Sequence, residues 1–441
     1  MHKFLVLSII GATTLFSAKL AAEFSADEQP GTVSSANSLQ FGDPTGIFTT
    51  IFEGRPLQFT NAFFGSLGTN GRSCATCHVA SDGWTIVPAH IQQRFSQSSG
   101  QDALFRTNDG SNCAGADTSS PDKAVLAYSL LLKKGLIRVQ LPIPAGAEYT
   151  LVSVDDPYQC APIPGQISVY RRPLPATNLK FLSSVMWDGR ETPAGRDIPA
   201  NLAQQAIDAT LGHAQASTPP SPATVKEIVA FEMGTLTAQT ESQGFGPLNQ
   251  SGGLGGPDFL LQQAFFIGIN DSAGSTFDPN VFTLFEEFGN GPGPLGGASI
   301  QRGETIFNTR GFITKTGRTG TCSGCHDSPN SGSHSVSAFL SIGTGDVTHR
   351  SPDLPLYTFY CPATQQTVQT SDPGRALMSG LCSDIGKFKV ASLRALAARA
   401  PYFHDGSATT LNDVVEFYDN QFQIGLSPQD KVDLVAFLSS L

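Results

Sequence analysis

Cys74-Ala75-Thr76-Cys77-His78 is matched in spacing by Cys322-Ser323-Gly324-Cys325-His326. Cys-x-x-Cys-His is the attachment signature of a c-type haem. The two thiols add to the vinyl groups along one porphyrin edge, and the adjacent imidazole ligates iron through a neutral nitrogen. With 8 Cys and 8 His in 441 residues, chance would supply roughly 0.003 such matches. Two matches are therefore not accidental. The competing readings are structural disulfides or one zinc site built from Cys-x-x-Cys pairs, but zinc does not require a His directly after each pair. Two covalently bound haems c follow, with His78 and His326 as iron ligands.

The rest of the chain fits an exported redox protein. It is 40% hydrophobic and 15% charged with a formal net charge of −10, which excludes the basic surface of a nucleic-acid binder. An acidic balance also suits a basic partner such as a small cytochrome. His2-Lys3, the apolar run Phe4 to Phe16 and the end Ala18-Lys19-Leu20-Ala21-Ala22 read as a signal peptide over residues 1–22. No later segment is long and apolar enough to span a bilayer, so a periplasmic protein is expected. Four cysteines remain after haem attachment: Cys113, Cys160, Cys361 and Cys382. An even remainder in an oxidising compartment suggests two disulfides. Of the three pairings, Cys113–Cys160 with Cys361–Cys382 keeps each bridge near one haem motif.

An internal repeat organises the domains. Lys226 to Phe231 follows the first motif and Val432 to Phe437 follows the second, each an amphipathic helix with Pro and capping residues ahead of it. Ile300, Gly303, Ile306 and Phe307 stand at helical spacing before the second motif. Phe63 to Gly71 reads as a short helix turning into a loop, and residues 96–165 as a long surface insertion. Residues 23–58 carry little pattern. The expected fold is mainly α: two cytochrome c-like domains with long loops, at 23–240 and 299–441, joined by a Gly/Pro-rich connector at 241–298.

Three further stretches carry a resemblance. Met186-Trp187-Asp188-Gly189-Arg190, Gly386 to Arg394 and Ala400-Pro401-Tyr402-Phe403-His404-Asp405-Gly406 together resemble the bacterial dihaem cytochrome c peroxidase/MauG family. The resemblance covers roughly residues 60–95, 170–235 and 300–441. It implies peroxide chemistry at the His78 haem and electron transfer through the His326 haem, with Trp187 bridging the two. It also places Arg190 and His404 beside the cofactors. The family's distal pair is a Gln and, ten residues later, a Glu. Gln205 matches the Gln, whereas the Glu position is Gln215, an amide that cannot act as a base. His213, two residues earlier, titrates near neutrality and takes the acid/base role in this reading. His90, in the loop after the first motif, is an alternative ligand at that haem.

The ligand opposite His326 distinguishes branches of the family. Classical peroxidases place a Met fourteen residues after the His of the PYFH motif; counting from His404 gives Tyr418, and MauG has a Tyr ligand. Leu411, Val414, Val415 and Tyr418 share one face of a helix begun by Thr410. Met186, Met233 and Met378 are the thioether alternatives, and His334 is a further candidate. A phenolate stabilises ferric iron and lowers its potential. The family calcium would sit between the domains on an Asn side chain and backbone carbonyls. Arg172 falls at the Asn position, with Arg399 and Pro401 at carbonyl positions. The implied partners are hydrogen peroxide and either a small redox protein (a c-type cytochrome or cupredoxin) or a protein substrate, with homodimerisation as in the peroxidases. A dihaem dioxygenase of the rubber-oxygenase type and a non-catalytic dihaem electron carrier are the alternatives.

Overall fold

The C-terminal core packs helix on helix. Leu295–Thr309 lies against Pro428–Leu438, with Leu411–Phe422 alongside. The close approach requires Gly303, where a Cβ would stand 2.0 Å from the Asp433 carbonyl oxygen. The helix starts are set by chemistry legible in the sequence. Thr410 and Ser427 each form a capping box, accepting from the backbone of Asp413 and Asp430 while those carboxylates accept in return. Ile300, Phe307, Leu411, Val415, Leu434 and Phe437 are buried together. The computed structural model describes residues 32–35, 37–54, 56–272, 276–289, 295–314 and 317–441. The signal-peptide reading of residues 1–22 lies outside them.

Phe282, Phe285 and Phe288, from the Gly/Pro-rich stretch 241–298, also enter this core. Asn308 accepts from the Phe282 N–H at 3.3 Å and donates to its carbonyl at 2.6 Å. The Glu304 carboxyl accepts from Leu284 N at 2.6 Å and Phe285 N at 3.0 Å.

Around the first motif the chain mixes helices with strands. Ser38–Asp43 and Gly46–Phe52 form an antiparallel hairpin, and Gly46–Phe52 also pairs with Thr235–Ser242, which leaves helix Pro222–Gly234 without a break. Buried hydroxyl pairs stitch the strands, Thr50 to Thr237 at 2.8 Å and Thr49 to Thr240 at 3.0 Å. Within the stretch 23–58, which showed little sequence pattern, Ser38–Asp43 and Gly46–Phe52 thus contribute to a sheet. The described structure is 32% helical and 17% strand, so it is more mixed than the mainly α expectation.

Two further expectations are corrected. Phe63 to Gly71 forms hydrogen-bonded turns and no helix. The stretch 96–165 is not merely surface: Leu104, Phe105, Tyr128, Leu131 and Ile137 pack with Val79, Ile86 and Ile91 into a core under the first motif. Its strand Thr150–Asp155 pairs with Leu356–Cys361 from the other half of the chain. Both disulfides have the expected pairing, Cys113–Cys160 and Cys361–Cys382. No described helix is long and apolar enough to cross a membrane.

Burial holds Glu304 up at about 7, from 4.5, despite its two backbone donors. Its proton is held more tightly in the folded state, so the stabilisation is complete below the unfolded pKa and is lost as pH rises towards 7. Glu304→Gln should flatten that decline by roughly 1.4 kcal/mol per pH unit across the window. Urea midpoints of variant and parent at both ends of the window check this, and parallel slopes would refute it.

Candidate active site

Both motifs present the same local geometry. Cys74–Thr76 is a single 3-10 turn and Cys322–Cys325 a single α turn, which puts both thiols of each pair on one side. None of the four thiols is in a disulfide, and burial pushes Cys74 and Cys322 up to about 12 and Cys325 to about 11. His78 Nδ1 lies 3.0 Å from the Trp84 carbonyl, and His326 Nδ1 bonds the Gly332 carbonyl. In each case the acceptor is six residues after the His. A carbonyl takes the Nδ1 proton and leaves Nε2 available to a metal. Burial lowers both imidazoles, His326 to about 4, so they stand neutral, as ligands must. Two thiols, a neutral oriented imidazole and an adjacent apolar cavity fit a c-type haem at the first motif.

That cavity, of about 200 Å³, is lined on one side by Cys74, Cys77 and His78. Opposite them stands helix Ile198–Gly212, capped by Asp197 and opened by Pro199. Leu202, Gln205, Ala206, Ala209 and Thr210 face the cavity from one helical stripe. His213 follows at the helix end and also lines the cavity. Its Nδ1 is 2.5 Å from Asp109 Oδ2, and Asp109 is ion-paired with buried Arg72. Burial alone would raise Asp109, but His213 and Arg72 bring it below the usual carboxylate range. The loop before the first motif is docked against this helix end. Thr69 N donates to the Ala214 carbonyl at 3.1 Å, and a Cβ at Gly68 would meet that oxygen at 1.8 Å.

The other residues singled out from the sequence are placed as follows. Gln205 lines the cavity, whereas Gln215 does not; its side-chain oxygen accepts from Asn70 at 3.3 Å. His90 pairs with Asp82 at 2.5 Å and is not a lining residue. Trp187 and Arg190 line the cavity. Trp187 Nε1 donates to the Arg172 carbonyl at 2.8 Å, and Arg190 pairs with Asp188 at 3.1 Å. His404 is buried, stacked on Phe388 at 4.0 Å and edge-on to Trp187 at 6.2 Å. Tyr418 is half-buried among Phe403, Phe417 and Phe422. Burial and the neighbouring thiols Cys325 and Cys322 raise its phenol, which places it beside the second motif. His349 packs edge-on against Phe417 of the same helix.

Asp109, Trp84, Lys389 and Glu232 went unnoticed in the sequence. Trp84 acts through its carbonyl, which no residue pattern reports. Lys389 is buried at the cavity, donates to the Ser184 carbonyl at 2.7 Å and is lowered by burial to about 7. Glu232 lines the cavity with Oε2 lacking a hydrogen-bond partner, and burial raises it to about 8. A carboxyl between apolar Phe231 and Met233, directly after the run Ile228 to Phe231, was the available signal for Glu232.

Arg172 occupies the position of the expected calcium ligand. Its guanidinium is buried and donates to the Lys134 carbonyl at 2.8 Å and to the Arg399 carbonyl at 3.3 Å. Burial lowers it to about 10. Arg399 supplies one of the carbonyls assigned to the calcium, so these residues do not fit the metal: a fixed cation already satisfies that oxygen.

No family model matches the chain. Cytochrome-c peroxidase IdrP1 of Pseudomonas sp. (strain SCT) is 29% identical over 176 residues, 36% of this chain and 43% of that protein. The methylamine utilization protein MauG of Methylophilus methylotrophus is 24% identical over 287 residues, 62% of this chain and 69% of the relative. A crystal structure of a MauG-like protein associated with microbial copper homeostasis aligns over 86% of each chain at 18% identity, with a TM-score of 0.42. The chain spans less than half the length of the first curated peroxidases it matches.

Arg172→Met should cost about 2–4 kcal/mol in chemical denaturation, since it strands buried carbonyls. Calcium returned to the chelated parent should change neither its stability nor its haem spectrum. Recovery by calcium of stability lost to a chelator would show that a calcium ion is present after all.

Proposed function

We propose, from its likeness to bacterial cytochrome c peroxidases and MauG, that this chain is a member of the dihaem cytochrome c peroxidase/MauG family: an exported, periplasmic dihaem oxidoreductase that reduces hydrogen peroxide at the His78 site. The observation that carries the reading is His213, held by Asp109 across a cavity from Cys74, Cys77 and His78. The family implies c-type haem, here proposed at both motifs in two cytochrome c-like domains, 23–240 and 299–441. Bound haem supplies the redox-active iron at which the peroxide O–O bond breaks.

The chain's own groups manage the proton and the route for electrons. With Nδ1 committed to Asp109, His213 turns Nε2 to the cavity. There it accepts a proton from the near oxygen of peroxide and returns it to the departing one, as general acid–base catalysis requires. The carboxylate stabilises the imidazolium formed in between. Gln205 offers an amide to orient peroxide, and the apolar stripe of Leu202, Ala206 and Ala209 limits water. Arg190 and Lys389 line the cavity and would hold haem carboxylates. Trp187, hydrogen-bonded through Arg172 and packed on His404, is the proposed relay towards the His326/Tyr418 site. Phenolate ligation by Tyr418 would lower the potential there, which favours oxidation of a protein substrate; a c-type cytochrome or cupredoxin is the alternative donor. Arg172 is proposed in place of calcium.

Titrating the oxidised, haem-loaded protein with peroxide tests the reading. A rapid spectral change with a new near-infrared band is expected, reporting two coupled haems. Silence in both the oxidised and half-reduced states would sink the peroxidase proposal. His213→Gln should slow the peroxide reaction by ~10²-fold and Asp109→Asn by ~10-fold, with binding of small ligands to the iron retained. Full reactivity of His213→Gln would remove His213 from the mechanism.

A further inference from the structure

A second set of metal-ligating side chains lies beside the loop that carries His326. Asp271, Asp327 and His334 offer three ligand atoms within 4.8 Å of one another. Asp327 is fully buried and Asp271 only 4% exposed. His334 Nδ1 lies 3.2 Å from Asp327 Oδ1 and 3.5 Å from Asp271 Oδ2, yet it makes no hydrogen bond to either. The nitrogen and the two carboxylate oxygens are close without being aimed at one another. Groups that converge on a common point have this relation. Ligand atoms at about 2.1 Å from a metal stand about 3.0 Å apart at right angles and about 3.4 Å apart in a tetrahedron. The observed separations, 3.2 and 3.5 Å, lie between these two values and just above the larger one.

We propose that Asp271, Asp327 and His334 bind one first-row divalent cation, with zinc as the test ion. The donor set selects the class. Calcium and magnesium take oxygen ligands throughout, whereas one imidazole with two carboxylates is a borderline set suited to zinc or manganese. A divalent ion also offsets the charge of two carboxylates that burial would otherwise penalise.

The surroundings give the ion a structural role. Asp271 sits in a turn, its N–H bonded to the Gly268 carbonyl, and Gly268 N in turn donates to the Ser335 carbonyl at 2.9 Å. Ser335 N donates to Asp327 Oδ1 at 2.7 Å. The His334 carbonyl accepts from Ser183 at 2.6 Å. An ion on these three side chains would pin the connector to the loop that runs from His326 through its Nδ1 acceptor Gly332. It therefore clamps the axial-ligand loop and takes no part in peroxide chemistry.

The test uses the haem-loaded full chain, purified without chelators, incubated with zinc sulfate in excess calcium and dialysed. Zinc is then measured by mass spectrometry against protein concentration. One zinc per chain is expected in the parent, falling at least ~5-fold in Asp271→Asn and His334→Gln, each with an unchanged Soret spectrum. No zinc in the parent, or equal zinc in parent and variants, overturns the proposal and leaves His334 as a partner of the two carboxylates alone. Should a variant fail to fold, the parent alone decides. Its melting temperature should fall by about 5 °C on chelation and recover with zinc, and a melt indifferent to both treatments overturns the proposal.

Discussion

Arg171 is buried between two carboxylates from distant parts of the chain. It is ion-paired with Asp188 of the Trp-Asp-Gly-Arg stretch, and bonds Asp372 through Nε at 2.6 Å and Nη2 at 2.9 Å. Burial alone would raise Asp188, but Arg171 and Arg190 hold it at about 2. Removing one partner of such a buried pair typically costs about 3–5 kcal/mol, because a charge is left without compensation. The cost guarantees geometry more than stability: Trp187 cannot leave its place without stranding Asp188. Arg172, the next residue, accepts from Trp187 Nε1 through its carbonyl and donates its N–H to the His404 carbonyl. Two consecutive arginines thus hold the indole between the first cavity and the Ala400 to Gly406 stretch.

The same economy explains the missing calcium ligand. A divalent ion held by carbonyls and an Asn can exchange with solvent. A guanidinium on the chain cannot, and it matches two carbonyls with directed N–H groups. On the proposed reading, Arg172 gives this chain a junction supplied by its own side chain where the resembled family uses an ion.

What the sequence revealed follows from the range of each interaction. Helix starts at Thr410 and Ser427 and the Cys-x-x-Cys-His turns depend on residues a few positions apart, so spacing reports them. The disulfides were legible because counting left four cysteines and few pairings. Asp109 was not. It lies 104 residues from His213 in a Ser-, Gly- and Asp-rich stretch that read as surface, and only the packing of Leu104, Phe105 and Leu131 brings it inward. The strand Thr235–Ser242 was missed because it follows a helix without a turn, so the period changes with no punctuation. Carbonyl acceptors such as those of Trp84 and Gly332 have no side-chain signature at all.

The two motifs share their proximal design and differ in what surrounds them. The first faces a carboxylate-oriented imidazole and an amide, groups that can move and direct a proton. The second has Tyr418 beside it, set among Phe403, Phe417 and Phe422, which offer no base. Proton-coupled bond breaking needs a titratable group near neutral pH, whereas electron storage needs a site that changes little with charge. Identical attachment chemistry can therefore serve two tasks, because the task is set by residues opposite the histidine and not by the motif. On the proposed reading, duplication of Cys-x-x-Cys-His would supply the pair of irons, and His213 with Asp109 on one side and Tyr418 on the other would make them unequal.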